Sequence, residues 1–320
     1  MTTVLLLAGG PDAERPVSLK SAAGIAGGLA AAGYTVDHRV IDRITAAELA
    51  SMPGDVIFPA LHGTYGEGGP LQRLLEADGR PFVASGFRAA RTCMDKVLTK
   101  SIAREAGMLC APTMVLDPAD DGLPLDLPVV VKPIFEGSTI GLHVCRSRED
   151  WARAHSASAA SGKPCMVEPF VPGKELTLGL IPAFTRDGAS PPRVRGGGRL
   201  TPLPLIHITP AEGLYDYEAK YTRNDTYYIV GPSLPAGVAE RLADQTLALA
   251  SAIGVRHLCR ADFILDDLNR AWFLELNTLP GFTDHSLVPM AAATIGLPMP
   301  ELCSLLVEAA LADARVKRPR

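Results

Sequence analysis

Apolar runs and helical stretches alternate through the first third of the chain. Val4 to Ala8 is an unbroken apolar run ending at Gly9-Gly10, the pattern of a buried strand. Ser18 to Ala32, rich in Ala and Leu, predicts a helix closed by Gly33. Thr35 to Ile41, Asp55 to Ala60 and Pro81 to Ala84 predict further strands with helical stretches between them. Such alternation, with a glycine turn after the first strand, predicts a parallel sheet covered by helices. Near Cys93 the pattern changes. Asp95 to Ala106 predicts a helix, followed by short strands over Val129 to Lys132, Leu142 to Arg146, Cys165 to Glu168 and Glu175 to Ile181. One helix, Glu149 to Ala160, interrupts them, which describes an α+β lobe. Pro182 to Tyr228 is rich in Gly, Pro and Arg with little periodicity, as lids and binding loops are. A helix over Ala236 to Ala252 then leads to two strands, two terminal helices and a basic tail at Val316 to Arg320.

Bulk properties narrow the classes. A chain of 320 residues holds two or three lobes, and 47% hydrophobic with 21% charged residues is ordinary for a globular enzyme. A net charge of −4 gives no field that would gather nucleic acid or anionic lipid, so neither is expected as a partner. The six cysteines contain no C-x-x-C pair, which argues against a zinc cluster or a disulfide framework and suits a reducing cytosol. Val4 to Leu7 is too short for a signal peptide, and no run of roughly 18 apolar residues predicts a membrane span. The expectation is a cytoplasmic enzyme.

The sharpest local signal lies between His257 and Asn277. Cys259 to Leu265 and Ala271 to Leu276 predict two strands, with Asp266 to Arg270 as the turn. A turn centred between Leu268 and Asn269 sets Asp262 opposite Glu275 and Arg260 opposite Asn277. Residues two apart share a strand face, so these four form one polar patch. Ala261, Phe263, Trp272, Leu274 and Leu276 then point into a core. Two carboxylates and an amide, without His or Cys, suit a hard cation such as Mg²⁺. Arg260 beside them suits a phosphate or a developing oxyanion. The plainer alternative is a solvated face with ordinary salt bridges.

The residues that follow alter that balance. Leu274-Glu275-Leu276-Asn277-Thr278-Leu279-Pro280-Gly281-Phe282-Thr283, with Ser286-Leu287-Val288-Pro289, resembles the C-terminal signature of D-alanine–D-alanine ligases, members of the ATP-grasp superfamily. Ala13-Glu14-Arg15 with Val17-Ser18, His62 to Gly69, Met94-Asp95-Lys96, Val131-Lys132-Pro133, Glu136-Gly137-Ser138 and Tyr215 to Tyr221 continue the resemblance in the family's order. It implies three lobes: an N-terminal parallel α/β lobe (1–93), a small central α+β lobe (94–178) and a C-terminal α+β lobe (179–320) holding the metal site. It also implies ATP with Mg²⁺ or Mn²⁺, D-alanine as substrate, a homodimer and a place in peptidoglycan synthesis.

The resemblance assigns roles position by position. Lys96, Lys132 and Lys220 resemble the phosphate-binding lysines, and Glu136 with Ser138 the loop that closes on the phosphates. Glu168 and Glu175 resemble the adenine- and ribose-side residues of the nucleotide pocket. Asp262, Glu275 and Asn277 are the implied metal ligands. Glu14 resembles the residue that holds the first D-alanine's ammonium, linked through Ser138 to Tyr221. His62, Ser286 and Leu287 are implied on the second substrate's side, and Arg260 with a backbone N–H near Gly281 at the oxyanion. Taken singly these types have blander readings: lone lysines are usually solvated, a lone His is usually structural, and Ser286 stands where it could cap a helix.

Gly68 and Pro16 depart from the family pattern, which usually shows acidic residues there. The departures motivate an alternative, a ligase of the same superfamily joining a different amino-acid pair such as D-alanyl-D-serine. A Rossmann dehydrogenase, prompted by Gly9-Gly10, lacks the full G-x-G-x-x-G because Pro11-Asp12-Ala13 follow.

Overall fold

The first apolar run is fully buried because both its faces are packed, Val4, Leu6 and Ala8 in one core and Leu5 and Leu7 in another. The computed structural model describes residues 1–317 apart from 118, 120–121, 187–191, 196–197 and 212–224. In it β1 (Thr3–Gly9) lies between β2 (Thr35–Ile41) and β3 (Val56–Pro59), and both pairings are parallel. Helices α1 (Arg15–Ala31), α2 (Ala46–Ser51), α3 (Gly63–Gly66) and α4 (Pro70–Asp78) make the connections. Helix α1 begins before the periodic pattern does, because Pro16 occupies its first turn, where no N–H is needed. The run Pro81 to Ala84 forms no strand: Phe82 alone bridges to Ile57, and Ala84 turns the chain at φ 89°. Over the Gly9-Gly10 turn, the Arg15 guanidinium donates to the carbonyls of Gly10 (2.9 Å) and Ile41 (3.0 Å). That space is filled by the protein's own cation, so the turn is no phosphate cradle.

After α5 (Phe87–Met94), helix α6 (Lys96–Glu105) starts where the Asp95 side chain accepts the Leu98 N–H at 2.9 Å. An antiparallel sheet follows, made of β4 (Met114–Val115), β5 (Val129–Pro133), β6 (His143–Cys145) and β7 (Cys165–Pro169) in the order β4-β7-β5-β6. Helix α7 (Arg148–Ser161), opened by a Ser147/Asp150 capping box, packs Trp151 and Ala154 against Val129, Val131 and Val167.

The third sheet is built on β8 (Lys174–Pro182). A small ribbon of β9 (Phe184–Thr185) and β10 (Arg193–Val194) follows it, then β11 (Leu200–Pro202), β12 (Ile206–Thr209), β13 (Tyr227–Val230), β14 (Cys259–Leu265) and β15 (Ala271–Asn277). The aperiodic segment after Pro182 therefore supplies, besides that ribbon and the start of β13, the strands β11 and β12, each paired to β8. Their order comes from that neighbour and not from local pattern. Strand β8, whose residues Lys174 to Leu180 all pair with β14, runs across the expected lobe boundary at 178/179.

Helices α8 (Val238–Ile253), α9 (Leu287–Thr294) and α10 (Met299–Lys317) complete the fold. Leu6 and Phe58 of the first sheet, Ile25 and Leu29 of α1, and Leu287, Leu302 and Leu306 of the last helices share one core. Phe58 meets Phe282 edge to face at 5.9 Å, so the loop between β15 and α9 is clamped between first sheet and last helices. Among the described residues no single helix is long and apolar enough to cross a membrane.

Candidate active site

The hairpin's register follows its turn only halfway. Asp262 pairs with Glu275 and Arg260 with Asn277, as a turn centred on 268/269 requires. Beyond Asp262 the register shifts, and Phe263 faces Phe273 while Ile264 faces Trp272. One extra residue on β15 reverses the alternation from there on. The expectation that Trp272 and Leu274 enter the core is thus corrected. Phe273 fills the core against Phe263, with ring centroids at 5.9 Å, and Trp272 and Leu274 line a cleft on the opposite face with Ile264.

That cleft lies between the second and third sheets and encloses about 1070 Å³, part of it open to solvent. Val130, Ile140, Val144, Phe170, Ile264 and Trp272 form apolar walls. Lys96, Lys132, Glu136, Glu168, Glu175, Asp262 and Glu275 bring the charges. Glu168 is buried at its floor, with Lys132 Nζ 2.9 Å from Oε2 and Thr113 Oγ1 donating to Oε1 at 2.7 Å. A second lysine, Lys100, also donates to Oε1. Burial alone would raise this carboxyl's pKa, but Lys132, Lys100 and the hydrogen bonds hold it down at about 2. Lys96 donates to the Glu136 carbonyl and lies 3.5 Å from Glu275, while the Glu136 carboxylate pairs with Lys163 at 2.7 Å.

A smaller polar cleft adjoins it, enclosing about 630 Å³ between Glu14, His62, Glu67, Ser138, Arg260, Gly281, Ser286 and Leu287. Glu275 and Gly137 line both clefts. Ser138 donates to the Glu14 carboxylate, drawing the loop of β5–β6 onto the start of α1. Ser138 and Thr139 hold left-handed backbone at φ 53° and 63°. Burial, reinforced by the Arg260 charge, pushes His62 down to about 4, so its ring is neutral at ordinary pH. Burial and then the neighbouring Glu14 push Glu67 well above the usual carboxylate range. Arg260 forks onto Asp262, Nε to Oδ1 at 2.9 Å and Nη2 to Oδ2 at 2.8 Å, and Thr177 donates to the same carboxylate at 2.6 Å. Asn277 Oδ1 accepts the Leu279 N–H at 2.8 Å, which fixes its amide.

Ser286 stands at the start of α9, yet its hydroxyl makes no capping bond there and accepts the Thr283 N–H at 2.8 Å instead. The hydroxyl so lines the small cleft, and a Cβ on Gly281 would lie 2.9 Å from it. Asp262, Glu275 and Asn277 present only oxygens and an amide from one strand-pair face. That donor set fits a hard cation and leaves coordination positions for other ligands.

Every sequence-predicted site residue within the described part lines one of these two clefts. Tyr221 and Lys220 lie outside the described residues. Sequence reasoning missed Lys100 and Thr113 beneath Glu168, and the walls formed by Phe170, Ile264 and Trp272. Lys100 carried a usable signal, being one helical turn from Lys96 and so on the same face of α6. Thr113 and Phe170 carried none.

Two antiparallel sheets closing on a cleft of lysines and carboxylates, with a parallel α/β unit beside them, make this an ATP-grasp fold. A family model described as the D-ala D-ala ligase C-terminus matches residues 123–308. The D-alanine–D-alanine ligase of Bordetella avium is 38% identical, the match spanning 98% of this chain and 94% of that protein. The chain belongs to the D-alanine–D-alanine ligase family. Among solved structures, a D-alanine–D-alanine ligase from Bacillus anthracis complexed with ATP superposes with a TM-score of 0.79 at 26% identity, covering 99% of each chain. A D-Ala:D-Ser ligase from Enterococcus faecalis does so with a TM-score of 0.80 at 20% identity over 97% of this chain, a likeness of fold alone.

Proposed function

We propose that this chain joins two D-alanines with ATP, through D-alanyl phosphate, giving D-alanyl-D-alanine, ADP and phosphate. The observation that carries the reading is the meeting of the two clefts at Glu275, which brings a phosphate-binding and an amino-acid-binding set of residues side by side. Three lobes are proposed, 1–93, 94–173 and 174–320, with ATP between the second and third.

The first D-alanine's ammonium is held by Glu14, and its carboxylate attacks the γ-phosphorus. Lys96 and Lys132 balance the phosphate charge, which is most of what phosphoryl transfer asks of a protein. Glu168 and Glu175 orient the nucleoside. Asp262, Glu275 and Asn277 would hold Mg²⁺ or Mn²⁺, which when bound supplies neutralisation of the phosphate oxygens. The second D-alanine lies by His62, Ser286 and Leu287. Its amine, having lost one proton to solvent, attacks the acyl carbon, Arg260 with the Gly281 backbone stabilises the oxyanion, and the bond to phosphate breaks as phosphate leaves with the second proton. Removing one such donor costs roughly 3 kcal/mol, about a hundredfold in rate. Ser138 and its loop exclude water, which would hydrolyse the acyl phosphate. Tyr221 and Lys220 take their closure and phosphate roles from the sequence motif alone. The family resemblance also supports a cytoplasmic homodimer serving peptidoglycan synthesis, which light scattering and localisation test.

Mass spectrometry of products from ATP, Mg²⁺ and D-alanine tests the reaction, with D-serine and L-alanine as competitors. The expected product is the D-alanine dipeptide. No dipeptide from D-alanine alone, with a mixed product instead, would overturn the choice of second substrate.

A further inference from the structure

Two lysines share one buried carboxylate beneath the larger cleft. Lys100 and Thr113 donate to Oε1 of Glu168, while Lys132 stands 2.9 Å from Oε2. The two lysines differ in access. Lys132 lines the cleft, whereas the Lys100 side chain is 1% exposed and does not reach it. The trio carries a net single positive charge in a buried site. An anion arriving beside Lys132 balances that charge, and Lys132 is the member able to meet it.

We propose that Lys100 is a positioning residue for nucleotide binding: it is the permanent counter-ion of Glu168 and so leaves Lys132 free to turn to a phosphate. The inference rests on the ATP reading above. The division of Glu168 supports it, because Oε1 belongs to Lys100 and Thr113 and, among the described residues, Oε2 to Lys132. Lys132 can therefore leave without disturbing the Oε1 pair, and Oε2 then faces the cleft for a nucleoside donor. Burial pushes Lys100 down to about 8, with Lys132 adding to the fall and Glu168 opposing it, so the ammonium persists at neutral pH because the carboxylate is there. Without Lys100, Glu168 keeps Lys132 as its one charged partner among the described residues. A phosphate must then compete with a buried ion pair.

Calorimetric titration of the full chain with ATP tests this in four proteins: the parent, Lys100→Met, Glu168→Gln and the double variant. Binding by the parent comes first, and its absence would sink the ligase reading itself. With the parent binding, Lys100→Met is expected to raise the Kd for ATP at least tenfold. In the Glu168→Gln background the same substitution is expected to change Kd less than threefold, since Lys100 acts through that carboxylate. A merely structural lysine would weaken binding equally in both backgrounds, and that outcome overturns the inference, as does a Kd within threefold of the parent in Lys100→Met. Should Lys100→Met fail to fold, Glu168→Gln against the double variant decides alone: a tenfold gap between them refutes the role.

Discussion

Helix α1 presses on the loop between β15 and α9 at one glycine, and filling that contact moves the loop. A Cβ on Gly24 would lie 2.3 Å from the Phe282 carbonyl oxygen. An ordinary contact needs roughly 3.3 Å, so about 1 Å must be found. The helix has little to give. A Cβ on Gly28, one turn on, would lie only 3.0 Å from Met299 Cγ, and Ser21, one turn back, accepts the Phe282 N–H at 3.1 Å. The displacement therefore goes into the loop, which carries Gly281 and Thr283 into the small cleft and ends at Ser286.

Gly24→Ala has opposing effects on stability. Alanine in a helix interior gains about 1 kcal/mol over glycine. Overpacking costs about 1–3 kcal/mol, and a strained Ser21–Phe282 bond up to about 1 kcal/mol more. The net loss is about 0–3 kcal/mol, which the fold tolerates. Catalysis is less forgiving, because a misplacement of about 1 Å costs on the order of a hundredfold. The expected result is a fall of about a hundredfold in kcat/KM for D-alanine, with KM for ATP within threefold, measured by phosphate release. Gly27→Ala is the control, since nothing lies within 4 Å of its added carbon. A Gly24→Ala enzyme within threefold of the parent for D-alanine would falsify the placement of this loop against α1.

Three further substitutions probe separate steps. Phe273→Ala empties the core behind the hairpin and is expected to cost about 3–5 kcal/mol in denaturant unfolding, whereas Trp272→Ala raises KM for ATP with a smaller loss of stability; the reverse pattern would contradict the shifted register. Asp262→Asn leaves Arg260, whose side chain is 15% exposed, without its carboxylate. It should lower stability by about 2–3 kcal/mol and raise the half-saturating Mg²⁺ concentration at least tenfold, and an unchanged Mg²⁺ titration would remove Asp262 from the ligand set. His62 titrates at about 4 when folded against 6.5 in the unfolded chain, so the unfolded state binds the extra proton and stability falls as pH drops from 6.5 to 4. His62→Gln should flatten that decline by up to about 3 kcal/mol, and parallel stability curves for parent and variant would count against a buried neutral imidazole.

Much of this was legible where a local rule decides. The β1 run predicted a fully buried parallel strand because both its faces are covered. Asp262 opposite Glu275 followed from counting residues to the turn. Counting failed at the next residue, Phe263, because a bulge on β15 leaves no mark in composition and exchanges Trp272 for Phe273 in the core. Strands β11 and β12 were hidden for another reason: a strand of three or four residues draws its order from β8 and has too few positions to show a period. Ser286 shows the same limit at the site. Its place before α9 fits a capping serine, and only the path of Thr283 turns the hydroxyl back toward the small cleft.

The site's charges are mated before any substrate arrives, and that shapes what binding must do. Arg260 grips Asp262, Lys96 lies by Glu275, Lys132 by Glu168, and Ser138 caps Glu14. Buried ions without partners are costly, so a cleft that waits with its lysines and carboxylates apart would weaken the fold. Exchange avoids that difficulty. On the proposed reading each arriving group, a phosphate beside Lys132 or an ammonium beside Glu14, would replace a partner already present, trading its own hydration for contacts held in place. The arrangement also accounts for the weight placed on residues that touch no substrate. Lys100 and Thr177 each bond one of these carboxylates, so on the proposed reading Glu168 and Asp262 would keep a partner if the other turned toward the cleft.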